Sequence, residues 1–282
     1  MADISILNSG LDALESQPKA EKKLVRNNLY RLMPILSAVV IILLWQLFIF
    51  ITKIPNYKLP TPLQVFEALQ KSFNQGILWG AVKVSVVRGA TGFLFAIALA
   101  TPLGLLLGLN RNLRLLFRPI LVGLQQLPSV AWVPAAVIWF GLSPATIYAV
   151  IMLGAVPSIA NGLIAGIDQI PPIILKVSSV MHANTWQRIR HFILPSAWLG
   201  YLAGLEQGWA FAWRSLMAAE LIAVSPSLGL GVGQLLNIGR ELGDMSLVLG
   251  SIIVIMLIGI AIEKLFFGPI RKRAYTHRGL AV

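Results

Sequence analysis

The chain has 282 residues, of which 57% are hydrophobic and only 12% are charged. Soluble domains carry about a quarter charged residues and disordered chains are poor in apolar residues, so this composition excludes both classes. Cys is absent, which excludes a disulfide framework, a Cys-based metal site and a Cys nucleophile. The net charge of +12 fits either a nucleic-acid-binding protein or a membrane protein with its basic residues on one side.

Long runs without charged residues predict an all-α integral membrane protein. A helix needs about 20 apolar residues to cross a bilayer. The longest run, Pro119–Ile167, can hold two such helices around a turn at Gly141–Pro144. We predict about six transmembrane helices, at 33–51, 88–109, 119–140, 146–167, 197–222 and 245–267. A transmembrane domain at 33–270 then follows an N-terminal segment at 1–32 and precedes a basic tail at 271–282.

Lys and Arg are concentrated in the segments that share a side of the membrane with the N-terminus. These are residues 1–32, the loop with Arg111, Arg114 and Arg118, the loop 168–196 and the tail. Because loops rich in Lys and Arg remain in the cytoplasm, we predict a multi-pass inner-membrane protein with both termini in the cytoplasm. The positive charge therefore indicates orientation in the lipid bilayer, and we expect no nucleic-acid partner.

The loop 53–87 is too long to be a simple connection between spans. Thr61 is a suitable N-cap, Pro62 suits the first helical position and Gln64 can complete a capping box. The apolar residues that follow recur at helical spacing, namely Leu63, Phe66, Leu69 and Phe73. We predict an amphipathic helix that lies on the outer surface.

Small residues recur every four positions in two of the predicted spans. One set is Gly104 and Gly108, and the other is Gly200, Gly204 and Gly208. This spacing allows two helices to approach closely in a membrane. The contact can lie inside one bundle or between two subunits.

The sequence contains no motif of an enzyme or of a metal centre. It lacks a Walker phosphate-binding loop, and no predicted strand precedes the Gly-rich stretch Gly229–Gly233, which we interpret as a flexible hairpin or re-entrant turn. The three His residues, His182, His191 and His277, lack the spacing of metal ligands. We therefore predict no catalytic residues, no metal and no cofactor.

Charged residues in the predicted fifth span point to a path for an anion. Charge at membrane depth is costly, so Glu206, Arg214 and Glu220 should face the bundle interior or water. Gln207 shares a helix face with Arg214, and a guanidinium beside amide and indole donors suits a small anion such as a sulfonate, nitrate or carboxylate. The predicted path residues of this span are Gln207, Trp213 and Arg214. Alternatively, Arg214 pairs with a Glu to stabilise packing, or lies near the membrane interface.

The third span supplies further polar side chains for such a path. They are Gln125, Gln126, Ser129 and Trp132. The alternative is that they form hydrogen bonds between helices.

The loop 176–195 resembles the cytoplasmic Glu-Ala-Ala loop of binding-protein-dependent ABC importer permeases. That loop has Glu-Ala-Ala, a Gly four residues after the last Ala, and then Ile-x-Leu-Pro. Residues Ala183–Pro195 match its second half, ending in Leu-Pro. The first half departs: Lys176-Val177-Ser178 replaces Glu-Ala-Ala, His182 replaces the Gly, and Phe192 replaces the Ile.

Other blocks resemble the nitrate, sulfonate, taurine and bicarbonate branch of that superfamily. They are Leu59–Pro62, Pro102–Gly108, Leu127–Pro134, Trp139–Gly141 and Ala212–Glu220, and the fifth-span block is most similar to aliphatic sulfonate permeases. The resemblance implies a type I importer fold and two permease copies around the path. It also implies two ATP-binding subunits and an external or lipid-anchored substrate-binding protein.

The resemblance further implies a short coupling helix that docks on an ATP-binding subunit. We place it at roughly 181–190, with Trp186 as the apolar anchor. The coupling residues are then His182, Ala183, Asn184, Thr185, Trp186, Arg188 and Arg190. A plain basic loop is the alternative.

The function expected is that of a permease subunit for an aliphatic sulfonate or taurine, with nitrate or bicarbonate as the runner-up. A stand-alone secondary transporter is the alternative from another class, and it would need ion-coupling groups at mid-membrane. A membrane-embedded enzyme lacks a recognisable site.

Overall fold

The computed structural model describes residues 22–224 and 228–276, with side chains from Met33 onward. The start of the predicted N-terminal segment, and His277 with the rest of the basic tail, lie outside the described residues. Within them the chain is helical and contains no strand, which confirms the all-α prediction. The chain divides into two compact units, Met1–Pro62 and Leu63–Val282.

The first unit contains one long helix, α1, over Lys22–Thr52. Its segment Met33–Thr52 is strongly apolar, with a mean hydropathy of 2.6, and nearly all of it is exposed. The hydroxyl of Thr52 donates to the carbonyl of Phe48 at 2.7 Å, and the helix ends before Lys53, whose φ is positive. This helix matches the predicted first span.

Besides a three-residue helical turn at Thr185–Gln187, the described residues from Pro62 onward contain ten further helices. They are α2 (Pro62–Asn74), α3 (Ile77–Leu109), α4 (Arg111–Gln126), α5 (Trp132–Phe140), α6 (Pro144–Asp168), α7 (Pro172–Val180), α8 (Leu194–Ile222), α9 (Val232–Glu241), α10 (Met245–Ile262) and α11 (Gly268–Thr276). A 3₁₀ turn at Ser129–Ala131 precedes α5, and π-helical segments at Arg188–Ile193 and Glu263–Phe267 lead into α8 and α11.

Four stretches of the described residues are long and apolar enough to cross a membrane. They are Met33–Thr52, Ile77–Leu109, Pro144–Asp168 and Met245–Thr276. Helix α8 has 29 residues, which is long enough at 1.5 Å per residue, but it carries three charged residues. The predicted second span, 88–109, lies within α3, and the predicted fifth span, 197–222, lies within α8. The total of six spans stays a prediction.

The predicted third span, 119–140, is not one straight helix. Arg111–Gln126 and Ser129–Phe140 are bent by 95° at the intervening break. Leu127 is extended there because it precedes Pro128, which disfavours the helical conformation for its predecessor. The prediction of a single helix was therefore wrong, and the chain either crosses the membrane as a broken span or turns back.

Helices α6 and α8 lie side by side and form the centre of the second unit. A Cβ built on Gly204 would lie 2.8 Å from the Cα of Gly162, and one on Gly200 would overlap Gly166. On α3, a Cβ at Gly104 would lie 3.2 Å from the carbonyl oxygen of Ala160 in α6. The predicted glycine repeats therefore pack within one bundle.

The predicted amphipathic helix in the loop 53–87 is present as α2, and Pro62 is its first residue. Val65 is buried on its inner face. Leu69 packs closely on Gly250 of α10, since a Cβ built on Gly250 would lie 2.9 Å from the Leu69 side chain. Leu63, Phe66 and Phe73 remain exposed. The last part of this predicted loop, residues 77–87, is also helical, because α3 begins at Ile77.

Candidate permeation path and coupling surface

One face of α8 is exposed along the predicted path. One face of helix α8 packs against α6 and is buried. On the other face, residues spaced three or four positions apart are exposed. These are Ala203, Gln207, Ala210 and Arg214. Gln207 and Arg214 therefore lie on one exposed face, two turns apart, as their seven-residue spacing predicted.

The Arg214 side chain is held by its own helix. Its Nε donates to the carbonyl of Ala210 at 3.0 Å, and its guanidinium lies 4.6 Å from the centre of the Phe211 ring. Among the described residues no carboxylate forms an ion pair with it, so the alternative of structural pairing with a Glu has no support. The exposed guanidinium can bind an anion through its outer nitrogens.

Trp213 does not share this exposed face. It is buried and packs nearly parallel to Trp209, with ring centres 6.1 Å apart. Its indole nitrogen donates to the carbonyl of Ile255 in α10 at 3.2 Å. Because this side chain is buried away from the exposed face of α8 and its N–H is already bonded, we remove Trp213 from the candidate path.

The polar residues of the predicted third span lie around the bend between α4 and α5. Gln125 accepts a hydrogen bond from the amide of Asn161 in α6 at 2.7 Å, which is the helix-to-helix bond named as its alternative. Gln126 is exposed, while Ser129 and Trp132 are half-buried. The 3₁₀ turn that contains Ser129 packs against α8, so these two elements adjoin.

Glu220 has a different environment from Arg214, although both lie on α8. It is fully buried and accepts hydrogen bonds from Arg88 Nη1 at 3.1 Å, Ser85 Oγ at 2.7 Å and the backbone N–H of Gly233 at 3.1 Å. The N–H of Val232 in turn donates to Ser85 Oγ at 2.9 Å. These groups, which we call the Glu220 cluster, join α3, α8 and the first turn of α9.

The Gly-rich stretch Gly229–Gly233 is not a hairpin. It leads into α9, and Gly231 is the N-cap of that helix. A Cβ on Gly231 would overlap the Glu220 carboxylate, and one on Gly233 would lie 2.7 Å from Glu220 Cβ. The glycines are needed because the helix start approaches this carboxylate, which suits the positive end of a helix dipole.

Glu206, the third charged residue of α8, pairs with the last helix. Arg271 Nη1 lies 3.0 Å from Glu206 Oε2 and 3.1 Å from Glu263 Oε1. Both glutamates of α8 therefore have arginine partners, which leaves Arg214 as the charged residue of this helix without a described counter-ion.

The predicted coupling helix at 181–190 is not one helix. A separate short helix, α7, precedes it at Pro172–Val180, and a tight turn follows in which His182 has a φ of 51°. Asn184 then caps the next helical turn: it accepts from the N–H of Gln187 at 2.8 Å, and its own N–H donates to the Gln187 side chain at 3.0 Å. From Thr185 the backbone continues as helix into α8.

A left-handed turn at His182 explains why the related loops have Gly at this position. Positive φ costs a residue with a Cβ about 1–2 kcal/mol, whereas Gly adopts it freely. The turn expected from the resemblance is therefore present at His182, before the helical segment that contains Trp186, Arg188 and Arg190. Which side of this turn docks on an ATP-binding subunit stays a prediction.

Apolar side chains are exposed on both sides of this turn. On α7 they are Ile173, Val177 and Val180, spaced four and three residues apart, and Met181 and Trp186 extend the patch. Exposed basic residues border it, namely Lys176, Arg188 and Arg190. We call this set the candidate coupling surface. Its α7 residues were not among the predicted coupling residues, although the double proline Pro171-Pro172 and the helical spacing of Ile173, Val177 and Val180 indicate a short helix with one apolar face.

Comparison with known proteins identifies the family. The chain is 28% identical over 253 residues to a putative aliphatic sulfonates transport permease protein of Bacillus subtilis, covering 88% of this chain and 90% of that protein. It is 29% identical to the taurine transport system permease protein of Escherichia coli, covering 73% and 75%. It is 28% identical to a bicarbonate transport system permease protein of Synechococcus elongatus, covering 71% and 74%.

The family model of binding-protein-dependent transport system inner membrane components matches residues 100–266. That segment contains the C-terminal end of α3, the bend, α6, the coupling surface, the exposed face of α8 and the Glu220 carboxylate. The chain therefore belongs to the binding-protein-dependent transport system inner membrane component family, as a multi-pass permease of the inner membrane.

Proposed function

We propose that this chain is the permease subunit of an ATP-driven importer for aliphatic sulfonates or taurine. Two copies enclose the path, two ATP-binding subunits bind at the cytoplasmic side, and an external or lipid-anchored binding protein delivers the substrate. Both termini lie in the cytoplasm. ATP is bound by the partner subunits, and the permease itself catalyses no reaction.

The observation that carries this proposal is the exposed guanidinium of Arg214 on the same face of α8 as Gln207. An arginine without a described carboxylate partner, with an amide two turns away on the same helix face, can bind the oxygens of a sulfonate through two parallel hydrogen bonds. The similarity to sulfonate and taurine permeases supports the same class of solute. In a dimer that places this face on the central axis, each copy would contribute one Arg214.

The coupling surface supplies the contact with the ATP-binding subunits. Its exposed apolar residues on α7 and Trp186 can insert into a groove, while Arg188 and Arg190 contact acidic residues at the rim. Because the segment after the turn is continuous with α8, a rigid movement of this surface would be transmitted to Arg214. The assignment extends the coupling residues from 182–190 to include α7.

Nitrate or bicarbonate remains the second candidate substrate, since a bicarbonate permease is among the relatives. A planar anion can also bind a guanidinium, but it lacks the apolar part of an alkanesulfonate. A stand-alone secondary transporter is less favoured, because Glu206 and Glu220 are already paired with arginines and are poor candidates for proton or ion coupling.

The test is reconstitution of the permease with its ATP-binding subunits and binding protein in vesicles. Taurine and short alkanesulfonates should stimulate ATP hydrolysis and be taken up, whereas nitrate and bicarbonate should have little effect. Stimulation by nitrate or bicarbonate alone would support the second candidate. Uptake by the permease alone, driven by an ion gradient, would contradict the importer proposal.

A further inference from the structure

A groove beside the first half of α4 contains three arginines. It has a volume of about 940 Å³ and runs from the end of α3 along α4. Arg111, Arg114 and Arg118 line it, and their spacing of three and four residues places them on one helix face. None of them has a role in the path or in the coupling surface.

The charge of this groove is only partly neutralised. Arg114 forms an ion pair with Asp168, the last residue of α6, which also places the groove at the end of the bundle that leads to α7. Arg111 and Arg118 are exposed, and among the described residues neither has a carboxylate partner. The groove therefore presents two uncompensated positive charges.

The walls of the groove are apolar. Leu109, Leu115 and Val122 line it, and Gly123 leaves open space where a side chain would stand. The neighbouring side chains Leu116, Phe117 and Ile120 are also exposed. At 1.5 Å per residue, α4 rises about 16 Å from Arg111 to Val122, and arginine and apolar side chains alternate over this length.

The start of α4 contributes few free donors to an anion. The side chain of Asn110 already accepts from the N–H groups of Asn112 and Leu113 at 3.1 and 3.2 Å. Positive charge in this groove therefore comes from the arginine side chains. A small soluble anion would use these charges but would leave the apolar wall unoccupied.

We propose that this groove binds an anionic phospholipid. Arg111 and Arg118 hold the phosphate of the headgroup, and an acyl chain lies along Leu115 and Val122. Arginine binds phosphate through paired N–H donors, and basic pockets between membrane helices suit acidic headgroups. The proposal depends on neither the transported substrate nor the ATP-binding partners.

Native mass spectrometry of the detergent-purified full-length permease tests it, with phosphatidylglycerol and phosphatidylcholine as the added lipids. Wild-type permease should retain phosphatidylglycerol preferentially. Each arginine near an acidic headgroup contributes about 1 kcal/mol, or about fivefold, so R111Q/R118Q should bind this lipid about 25-fold more weakly. R111K/R118K should keep part of the binding, since charge is retained.

The matched control is K272Q/R273Q, which removes two exposed charges from α11 and should bind phosphatidylglycerol like wild type.

Equal loss of phosphatidylglycerol binding in both double variants would overturn the proposal, because it would reflect net charge alone. Equal retention of the two lipids by wild-type protein would also overturn it. Displacement of the lipid by millimolar inorganic phosphate would identify a soluble-anion site instead. An unchanged melting temperature of R111Q/R118Q shows that lost binding is not lost folding.

Discussion

The guanidinium of Arg88 on α3 lies 3.1 Å from the carboxylate of Glu220 on α8, and Glu220 is fully buried. The carboxylate also accepts from Ser85 and from the N–H of Gly233. A buried charge is tolerated only when it is paired and hydrogen-bonded, and this one accepts from three donors on two other helices, α3 and α9. The pair therefore holds α8 against α3, and the bonds from Gly233 and Val232 attach the start of α9 to the same site.

Replacing Glu220 by Gln should destabilise the permease strongly. Removal of one partner leaves the other charge buried without compensation, which costs about 3–5 kcal/mol. Thermal unfolding of the purified protein in detergent measures the effect, and R88Q/E220Q should recover part of the loss because both charges are gone.

Glu263→Gln is the matched control for Glu220→Gln. Glu263 and its partner Arg271 have side chains 45% and 46% exposed, and an exposed pair contributes no more than about 1 kcal/mol. Equal melting temperatures for E220Q and E263Q would contradict the role given to the buried pair.

Gly204→Ala should separate α8 from α6. The added Cβ would lie 2.8 Å from the Cα of Gly162, and a backbone atom cannot yield as a flexible side chain can. We expect loss of folded protein in the membrane, measured as the monodisperse fraction after detergent extraction. Gly80→Ala in α3, where nothing lies within 4 Å of the new Cβ, should fold like wild type; a normal G204A yield would show that the helices can move apart.

The helices and their close packing were predictable from the sequence because their signals are local. Apolar runs predict spans through length alone, and glycine repeats predict close approach without knowledge of the partner helix. The exposed face shared by Gln207 and Arg214 follows from helical spacing. These features need only residues within a few turns of each other.

The Glu220 cluster was not predictable, because its members are far apart in the sequence. Arg88 and Glu220 are separated by 132 positions, and no spacing rule joins them. The Gly-rich stretch Gly229–Gly233 was therefore interpreted only as a flexible hairpin or re-entrant turn, whereas Gly231 and Gly233 pack on this carboxylate. The burial of Trp213 likewise depends on α10, because the backbone carbonyl of Ile255 accepts a hydrogen bond from the Trp213 indole N–H.

His182→Gly should stabilise the turn between α7 and the following helix. His182 has a φ of 51°, and Gly removes a cost of about 1 kcal/mol for that conformation. The melting temperature should rise while ATP-driven uptake is maintained. His182→Val should have the opposite effect, because a β-branched residue is disfavoured at positive φ; equal stability of the Gly and Val variants would show that the turn is not held in this conformation.

Trp186→Ala should uncouple ATP hydrolysis from uptake without unfolding the permease. Trp186 is 66% exposed on the coupling surface, so its loss removes a docking contact and little internal packing. Reconstituted vesicles allow the ratio of solute transported to ATP hydrolysed to be measured. Trp79→Ala is the matched control, since Trp79 is 65% exposed at the start of α3 and should leave this ratio unchanged; an unchanged ratio in W186A would remove Trp186 from the coupling contact.

Arg214→Gln should reduce transport of the anion more than assembly of the complex. The side chain is exposed, and its hydrogen bond to the carbonyl of Ala210 is local to α8, so its removal should change stability by less than about 1 kcal/mol. Loss of a charged hydrogen bond to the solute should cost about 1.5–3 kcal/mol, or roughly 10- to 150-fold in apparent affinity for transport. Uptake by vesicles, normalised to the amount of assembled complex, measures this directly.

Arg214→Lys separates charge from geometry at the same position. A lysine keeps the positive charge but lacks the planar pair of donors, so it should restore only part of the uptake lost in R214Q. Arg273→Gln, an exposed arginine on α11, should transport normally and controls for net charge. If R214Q instead lost the assembled complex while the remaining complex transported at the wild-type rate, Arg214 would hold the bundle together and the path would have to be sought elsewhere.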